Sequence, residues 1–329
     1  MKNYFFTVVI IILLFSDYIA AQNQFPSQLA HTYSIVARDP ETGEMGVAVQ
    51  THWFNVGSRV SWAEAGVGAI ATQSFTNASF GPRGLELLKL GKTAQEVVDD
   101  LIESDDGRDF RQLGVVDKFG NSASYTGQKC IYAAGSINEE NFSVQANLML
   151  SEKVWSSMAQ AFKNTNGALA ERMMAALEAA QKEGGDIRGK QSAAMIVVKG
   201  NSSGNIWEDE ILNLKIADHS NPIKEMRRLL NVHNAYVHMN KGDSAIEKND
   251  FDAAEKEYES AMKAYPENLE IKYWYAVALA NAGKIQDSFP LFKDIFTKDK
   301  NWKTLTERLP ASDLLNVSEE VLNNILSLE

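Results

Sequence analysis

The most regular alternation of apolar and polar stretches in this chain lies within residues 31–50. Two apolar stretches, 32–37 and 45–49, are separated by the polar segment DPETG. Within that segment proline can fix φ and glycine can supply a positive φ, which are the requirements of a tight turn. Two apolar stretches of similar length around such a turn predict a β-hairpin.

Further strands and helices are predicted in blocks after this hairpin. The predicted strands are 60–63, 66–73, 112–116, 122–126, 130–135, 141–148, 191–199 and 211–216. The predicted helices are one that ends at Gly91, one that begins with the capping box Thr93–Glu96, one that Ser151 caps and that reaches Phe162, and one at 169–182. Paired helices between blocks of strands do not fit a parallel βαβ sheet. They favour the α+β class, with two stacked sheets and a helical layer on each outer side, a four-layer αββα sandwich.

From Asn221 onward the strand signals end and the pattern becomes helical. The small, aromatic and proline positions of a tetratricopeptide-type helical hairpin are occupied by Gly242, Ala254, Tyr258, Ala261 and Pro266. The first four positions recur about 34 residues later as Ala276, Ser288, Phe292 and Ile295. Residues 221–329 are therefore predicted to form an all-helical, tetratricopeptide-like domain.

The beginning of the chain has the layout of a secretory signal peptide. Lys2 precedes a short apolar run at 4–15 and a more polar stretch that ends at Ala21. We therefore expect residues 1–21 to be removed, residues 22–31 to form a polar tether, and the protein to be exported, to the periplasm or beyond. The rest of the chain is predicted to divide into an αββα domain at 32–220 and the helical domain.

Composition narrows the classes of function. A net charge of −11 and a pI near 5.1 argue against a nucleic-acid-binding protein. The single cysteine, Cys130, allows no intramolecular disulfide, so packing must stabilise an exported domain. The histidines lack the spacing of a metal-binding helix, and no glycine-rich phosphate loop is present, so we expect neither metal nor cofactor.

Several stretches of the first domain resemble a known family. They are TYSIVARDPETGEMGVAVQ, GVGAIATQSFTNASFGPRGLELL, GVVD, YTG and GKQSAAMIVV, which together span roughly residues 32–218. The family they resemble is domain of unknown function 1028, which is placed among the N-terminal-nucleophile (Ntn) hydrolase-like folds. The resemblance implies an αββα sandwich, in agreement with the element order, and it supplies no substrate.

This resemblance makes Thr32 the candidate nucleophile. In Ntn hydrolases the first residue of the first strand attacks a carbonyl, and its free α-amine serves as the base. Such chemistry requires cleavage of the His31–Thr32 bond, because removal of the signal peptide alone leaves residues 22–31 ahead of it. The alternative is that Thr32 is simply a β-branched residue at a strand start. Ser34 shares its strand face and is the second candidate.

Other polar residues could complete a site. No lysine lies between Thr32 and Lys89, unlike the lysine-assisted Ntn sites, so Arg59 is the candidate cation for an oxyanion or for a substrate carboxylate. His52 is the candidate acid or base, with a packed loop residue as the alternative. The candidates for ligand binding are Gln73, Ser74, Asn77, Arg83, Asn147, Lys190, Gln191 and Ser192. Loop contacts, surface charge or a buried polar network would explain these residues without a ligand.

Three functions remain open from the sequence. The protein is an exported Ntn-type amidohydrolase or peptidase acting on a small amide, or it keeps the fold without turnover and binds a small-molecule or peptide ligand. In the third, the helical repeats bind a protein partner and the protein is a scaffold. A homo-oligomer is compatible with all three.

Overall fold

The computed structural model describes residues 29–328. Contacts divide the chain into two compact units, one ending at Arg227 and one beginning at Arg228. The predicted signal peptide and most of the predicted tether lie outside the described residues. Among the residues described, no helix combines the length and the apolar character needed to cross a membrane.

Two antiparallel sheets form the centre of the first unit. Their strands are β1 (Leu29–Ala30), β2 (Thr32–Arg38), β3 (Met45–Thr51), β4 (Ser61–Glu64), β5 (Gly68–Phe75), β6 (Arg111–Asp117), β7 (Ser122–Thr126), β8 (Gly135–Glu139), β9 (Phe142–Ala146), β10 (Ser192–Val198) and β11 (Glu210–Ile216). One sheet has five strands in the order β1-β5-β6-β7, and β4 also pairs with β5. The other has six strands in the order β11-β10-β3-β2-β9-β8. The predicted hairpin β2–β3 therefore lies at the centre of the larger sheet.

Helices cover the outer face of each sheet. The helices of this unit are α1 (Phe80–Lys89), α2 (Ala94–Glu103), α3 (Val154–Asn164), α4 (Leu169–Lys182) and the short α5 (Ile206–Asp209), with 3₁₀ turns at Val56–Ser58 and Arg108–Phe110. The α1–α2 pair buries apolar side chains against β5 and β6, while α4 packs on β2 and β3 and α3 packs on β9. The four layers confirm the predicted αββα sandwich.

Strand alternation directs β2 side chains to two different layers. Tyr33 points to the helical layer, where its hydroxyl donates to Gln181 Oε1 of α4 at 3.2 Å. Ser34 points to the other sheet, where its hydroxyl donates to Gln73 Oε1 at 2.6 Å. Because both faces of β2 are covered, six of its seven residues are buried.

Two predicted element boundaries are wrong. The predicted strand at 130–135 is a set of turns, in which Ala133 has a φ of 51°, and the strand β8 begins only at Gly135. The apolar residues of 130–135 suggested a buried strand, but Tyr132 is 77% exposed. Ser151 does not cap α3, which begins at Val154, and its hydroxyl instead accepts from the Lys153 amide at 3.1 Å.

The end of the predicted tether belongs to the fold. Leu29 and Ala30 form β1 and pair with Phe75 and Ser74 of β5, and His31 is only 2% exposed. The polar composition of residues 22–28 concealed this short strand, which is formed by the first apolar residues after them. The prediction of a free tether up to His31 is therefore wrong.

The chain is all-helical from Pro222 onward. Its helices are α6 (Pro222–Glu247), α7 (Phe251–Ala264), α8 (Leu269–Asn281), α9 (Ile285–Lys298), α10 (Asn301–Arg308) and α11 (Glu319–Leu326), with a 3₁₀ turn at Pro310–Ser312. The turns before α7 and α9 are equivalent, because Asn249 and Gly283 have left-handed backbones with φ of 58° and 78°. Tyr258 of α7 stacks on Tyr275 of α8 at 4.7 Å between ring centroids. The predicted helical domain is confirmed.

Candidate functional site at the His31–Thr32 bond

The layer between the two sheets is polar at one end. Side chains from β2, β5, β6 and β9, and from the residues directly beside β2 and β9, meet there with at most 2% exposure. We name this group the polar cluster; its members are His31, Thr32, Ser34, Gln73, Gln112, Ser143, Gln145 and Asn147. Buried polar groups are stable only when they are hydrogen-bonded, so the partners of each group decide what the cluster can do.

Hydrogen bonds in the polar cluster converge on Gln112. Gln145 Nε2 donates to Ser34 Oγ at 2.6 Å, and Gln73 Nε2 donates to Gln112 Oε1 at 2.7 Å. From the other side Asn147 Nδ2 donates to Gln112 Oε1 at 2.8 Å. Gln112 Nε2 donates to the Ala146 carbonyl at 2.9 Å, so its oxygen must face the cluster. These bonds fix the orientation of every amide that takes part.

His31 is held by this cluster. Its Nδ1 lies 2.8 Å from Asn147 Oδ1, and its ring meets Phe75 edge to face at 5.5 Å between centroids. Because the Asn147 amide nitrogen points to Gln112, its oxygen accepts, and His31 carries a proton on Nδ1. Burial lowers the pKa of His31 below its ordinary 6.5, so the ring is neutral at pH 7. Its Nε2 has no hydrogen-bond partner among residues 31–328.

The main-chain carbonyl of His31 receives two side-chain hydrogen bonds. Thr51 Oγ1 donates to it at 2.5 Å, and Arg188 Nη2 donates to it at 2.9 Å. The fully buried carboxylate of Asp186 holds the guanidinium, with Arg188 Nε and Nη2 at 3.0 and 2.7 Å. Two donors on one oxygen, one of them cationic, stabilise negative charge there, as an oxyanion hole does.

Thr32 is anchored on the other side of the same peptide bond. It is fully buried at the first position of β2. Its carbonyl accepts from the Asn147 amide at 3.1 Å and from Gln73 Nε2 at 3.2 Å. The bond between His31 and Thr32 therefore joins a polarised carbonyl to a residue that the sheet holds in place.

The structure brings part of the predicted site together. Thr32, Ser34, Gln73 and Asn147 are members of the polar cluster. Ser192 is buried and pairs with Thr51 in the sheet. Its hydroxyl, however, donates to the Trp53 carbonyl at 2.5 Å and accepts from the Val56 amide at 3.1 Å, so it fixes the loop after β3.

The other candidates lie outside the polar cluster. They are His52, Arg59, Ser74, Asn77, Arg83, Lys190 and Gln191. His52 contributes its backbone amide, which donates to Asp186 Oδ2 at 3.0 Å, and its side chain is exposed. The exposed Arg59 makes no side-chain hydrogen bond or ion pair within residues 31–328, and Arg188 is the cation at the His31 carbonyl.

Local contacts account for several of these side chains. Asn77 Nδ2 donates to Asp105 at 3.2 Å in the loop before α1, and Arg83 donates to Ser104 Oγ at 2.8 Å on the surface. Gln191 Nε2 donates to Asp218 at 3.1 Å. Ser74 is buried at the end of β5, and Lys190 is half-buried after the glycine loop.

Sequence reasoning missed seven residues of the site. They are His31, Thr51, Gln112, Ser143, Gln145, Asp186 and Arg188. Gln112 and Gln145 are large amides that lie next to apolar residues in their strands, and this contrast could have revealed them. In the segment GGDIRGK an acid and an arginine two residues apart could have indicated a fixed ion pair.

The donor set of the polar cluster does not suit a metal ion. It consists of amides, hydroxyls and a single imidazole, whose Nδ1 serves Asn147. Across the part of the chain that the structure describes, no three His, Cys, Asp or Glu side chains come together as a metal site requires.

Comparison with known proteins identifies the family. The model described as Family of unknown function (DUF1028) matches residues 32–226, which is more than half of the chain. This chain belongs to the DUF1028 family. A second family model, described as Tetratricopeptide repeat, matches residues 239–299 of this DUF1028 protein. Both resemblances predicted from the sequence are confirmed.

Solved structures of similar proteins cover the first unit. The crystal structure of protein SPO2555 from Silicibacter pomeroyi, described as DUF1028, is 30% identical to this DUF1028 protein with a TM-score of 0.55. The match covers 61% of this chain and 88% of that chain. Anbu (ancestral beta-subunit) from Yersinia bercovieri is 13% identical with a TM-score of 0.30, covering 60% of this chain and 92% of that chain. The comparison with curated proteins found no match to this chain.

Proposed function

We propose that this protein is an exported Ntn-type amidohydrolase whose nucleophile, Thr32, is released by cleavage of the His31–Thr32 bond. The observation that carries this proposal is the pair of donors, Thr51 Oγ1 and Arg188 Nη2, on the His31 carbonyl oxygen. An ordinary strand entry does not need a guanidinium on its preceding carbonyl. An oxyanion that develops during cleavage does.

Cleavage follows from the covalent geometry of Thr32. Its Oγ attacks the His31 carbonyl carbon through a five-membered ring, and the C–N bond breaks to give an ester and a free α-amine. Water then hydrolyses the ester, which leaves a carboxylate on His31 and restores the Thr32 hydroxyl. In this scheme Thr51 and Arg188 stabilise the negative charge of both tetrahedral intermediates, because both form on the same carbon.

Turnover of an external amide uses the same groups. The α-amine of Thr32 takes the proton from Oγ as Oγ attacks the substrate carbonyl, and it returns the proton to the leaving amine. The acyl group remains on Oγ until water releases it as an acid. The substrate carbonyl oxygen takes the position that the His31 carbonyl oxygen occupies in this structure. There it accepts hydrogen bonds from Thr51 Oγ1 and Arg188 Nη2.

The intact mass of the exported full-length chain tests this proposal. We expect a mature chain that begins at Thr32 and hydrolyses simple amides. Thr32→Ala should retain residues up to His31 and lose hydrolysis completely, because it removes the attacking hydroxyl. Thr42→Ala, an exposed threonine of the β2–β3 turn, is the matched control and should be processed normally. A chain that begins at Gln22 and hydrolyses amides equally well with Thr32→Ala would refute the proposal.

A second role belongs to the helical unit. Tetratricopeptide repeats stack into surfaces that generally bind proteins, and the repeat model matches residues 239–299. If amide hydrolysis is absent, partner or ligand binding without turnover becomes the function that these observations favour. The mass and activity measurements above decide between the two.

A further inference from the structure

We propose that the acyl side of the substrate is a peptide-like strand that ends in histidine, or in another planar ring with one N–H donor. This inference rests on the proposed function, and it concerns which amides Thr32 attacks. The structure holds residues 29–31 on the acyl side of the bond to be cleaved. A substrate in turnover must place its own acyl side in the same position, since both reactions use one nucleophile and one pair of oxyanion donors.

The first contact is through the main chain. Leu29 and Ala30 pair in antiparallel register with Phe75 and Ser74 at the edge of β5. When cleavage frees residues 29–31, this edge offers the same main-chain groups to an incoming strand. Addition of a strand to an open sheet edge is a general way to bind extended peptides. It favours a peptide-like acyl group over a compact small molecule.

The second contact is the ring site of His31. Phe75 lies edge to face against the imidazole, and Phe110 packs against Phe75 at 5.4 Å between ring centroids. Asn147 Oδ1 accepts from Nδ1 at 2.8 Å. Because Gln112 fixes the Asn147 amide, the site can accept a hydrogen bond there and cannot donate one.

Among the described residues, the ring site offers no hydrogen-bond donor to the second ring nitrogen of His31. Nε2 of His31 is buried without a partner in the described part of the chain. The site is therefore matched to one N–H donor on an otherwise apolar ring. A charged side chain would lose its hydration there without compensation, so acidic and basic acyl-side residues are excluded.

The reaction on such a substrate balances without a further reagent. Thr32 Oγ forms an ester with the acyl carbon, the C–N bond breaks, and the leaving amine takes the Oγ proton through the α-amine. Water then adds to the ester carbon, the C–O bond to Thr32 breaks, and the peptide leaves with a free carboxylate.

Two fluorogenic peptides test the ring site in the processed full-length protein. They are acetyl-Leu-Ala-His and acetyl-Leu-Ala-Phe amides of aminomethylcoumarin, which differ in the N–H donor of the ring. We expect kcat/KM to be at least about tenfold higher for the histidine peptide, since loss of one buried hydrogen bond typically has this effect. In Asn147→Leu the ratio should fall to about one, because its accepting oxygen is gone.

Processing of the chain itself gives a second measurement. His31→Phe in the full-length protein removes the donor on the acyl side and leaves Asn147 unchanged. We expect cleavage at Thr32 to be about tenfold slower than in the unaltered chain. This variant keeps the inference testable if Asn147→Leu fails to fold.

The outcomes separate this inference from the proposed function. Hydrolysis of both peptides at equal rates, or equal processing of His31→Phe, would overturn the ring preference and leave the nucleophile in place. A chain that never exposes Thr32 and hydrolyses neither peptide would overturn both.

Discussion

The layer between the two sheets has an apolar half, held by hydrophobic packing, and a polar half, held by hydrogen bonds. We name the far half the apolar cluster; its members include Val36, Val47, Val49, Ala69, Ala71, Val116, Ala194 and Ile196. The same strands, β2, β5 and β6, also supply the polar cluster. In the apolar cluster apolar side chains of suitable volume can replace one another, because the hydrophobic effect has no direction. In the polar cluster each amide has one correct orientation, so its neighbours are specified as well.

This difference explains where precise geometry is found in the molecule. The cleavage that we propose at His31–Thr32 needs donors held at fixed positions, and apolar packing alone does not supply them. The polar cluster includes His31 and Thr32, and the apolar cluster occupies the other half of the layer. The apolar cluster thus contributes mainly to the stability of the fold, and the polar cluster fixes the positions of the hydrogen-bond donors.

A double-mutant cycle on Gln73 and Gln112 should have the largest effect. Each change to leucine leaves buried amide partners without bonds, at a cost of about 3 kcal/mol of unfolding free energy. The double variant should cost clearly less than the sum, with a coupling above about 1 kcal/mol, because the partners are removed together. Urea unfolding of full-length variants measures these values.

The matched cycle lies in the apolar cluster. Val47→Ala and Val116→Ala should each cost about 1–2 kcal/mol through lost burial and cavity formation, and their coupling should be smaller than that of Gln73 and Gln112. Equal coupling in the two cycles would remove the distinction between the clusters.

A methyl group added at Gly114 should have an intermediate effect. An alanine Cβ there clashes with the side-chain amide of Gln145, which the polar cluster holds in place. We expect Gly114→Ala to cost about 2 kcal/mol of unfolding free energy, as overpacking of ordered interiors does. Ala71→Gly, at the directly paired residue of β5, is the control and should cost about 1 kcal/mol. A smaller effect of Gly114→Ala than of the control would show that the amide moves freely.

The smallest effect should be the pH dependence of stability due to His31. Its pKa is lowered by burial in the fold, so below about pH 6.5 the unfolded chain binds a proton that the folded chain does not. Stability should therefore fall as the pH drops below this value, by at most about 1.4 kcal/mol per pH unit, and stay level above it.

The pH measurement needs a chain that retains His31. Thr32→Ala provides it, and Thr32→Ala combined with His31→Asn is the reference. The difference between their unfolding free energies from pH 5 to 8 isolates His31, because His233, whose pKa burial also lowers, is present in both chains. Parallel curves would contradict a buried neutral imidazole at position 31.

The sequence predicted the sandwich because local signals agreed with the global arrangement. The hairpin β2–β3, the capping box at Thr93 and the paired helices each follow from patterns within a few residues. The prediction of a strand at 130–135 is wrong because the apolar residues there form a surface turn. Apolar residues on the surface leave no periodic signal.

The site was predicted only in part for a similar reason. Thr32 follows from the family resemblance and from its place at the start of a strand. Arg188, which Asp186 holds, reaches the His31 carbonyl from a loop more than 150 residues away in the chain, so no local pattern connects them. The sequence places His31 in the predicted tether, because nothing in it distinguishes a buried histidine from a linker residue.

The backbone of Ser74 has a consequence for the mature protein in solution. Release of residues 29–31 would leave part of β5 as an unpaired edge, and such edges can recruit a second molecule into a growing sheet. Ser74 has a φ of 69°, which turns the chain out of the regular strand path, and β4 already covers β5 from Gly68 to Ala71. An edge vacated in this way would be short and bent, so it would admit a single peptide and oppose aggregation between copies.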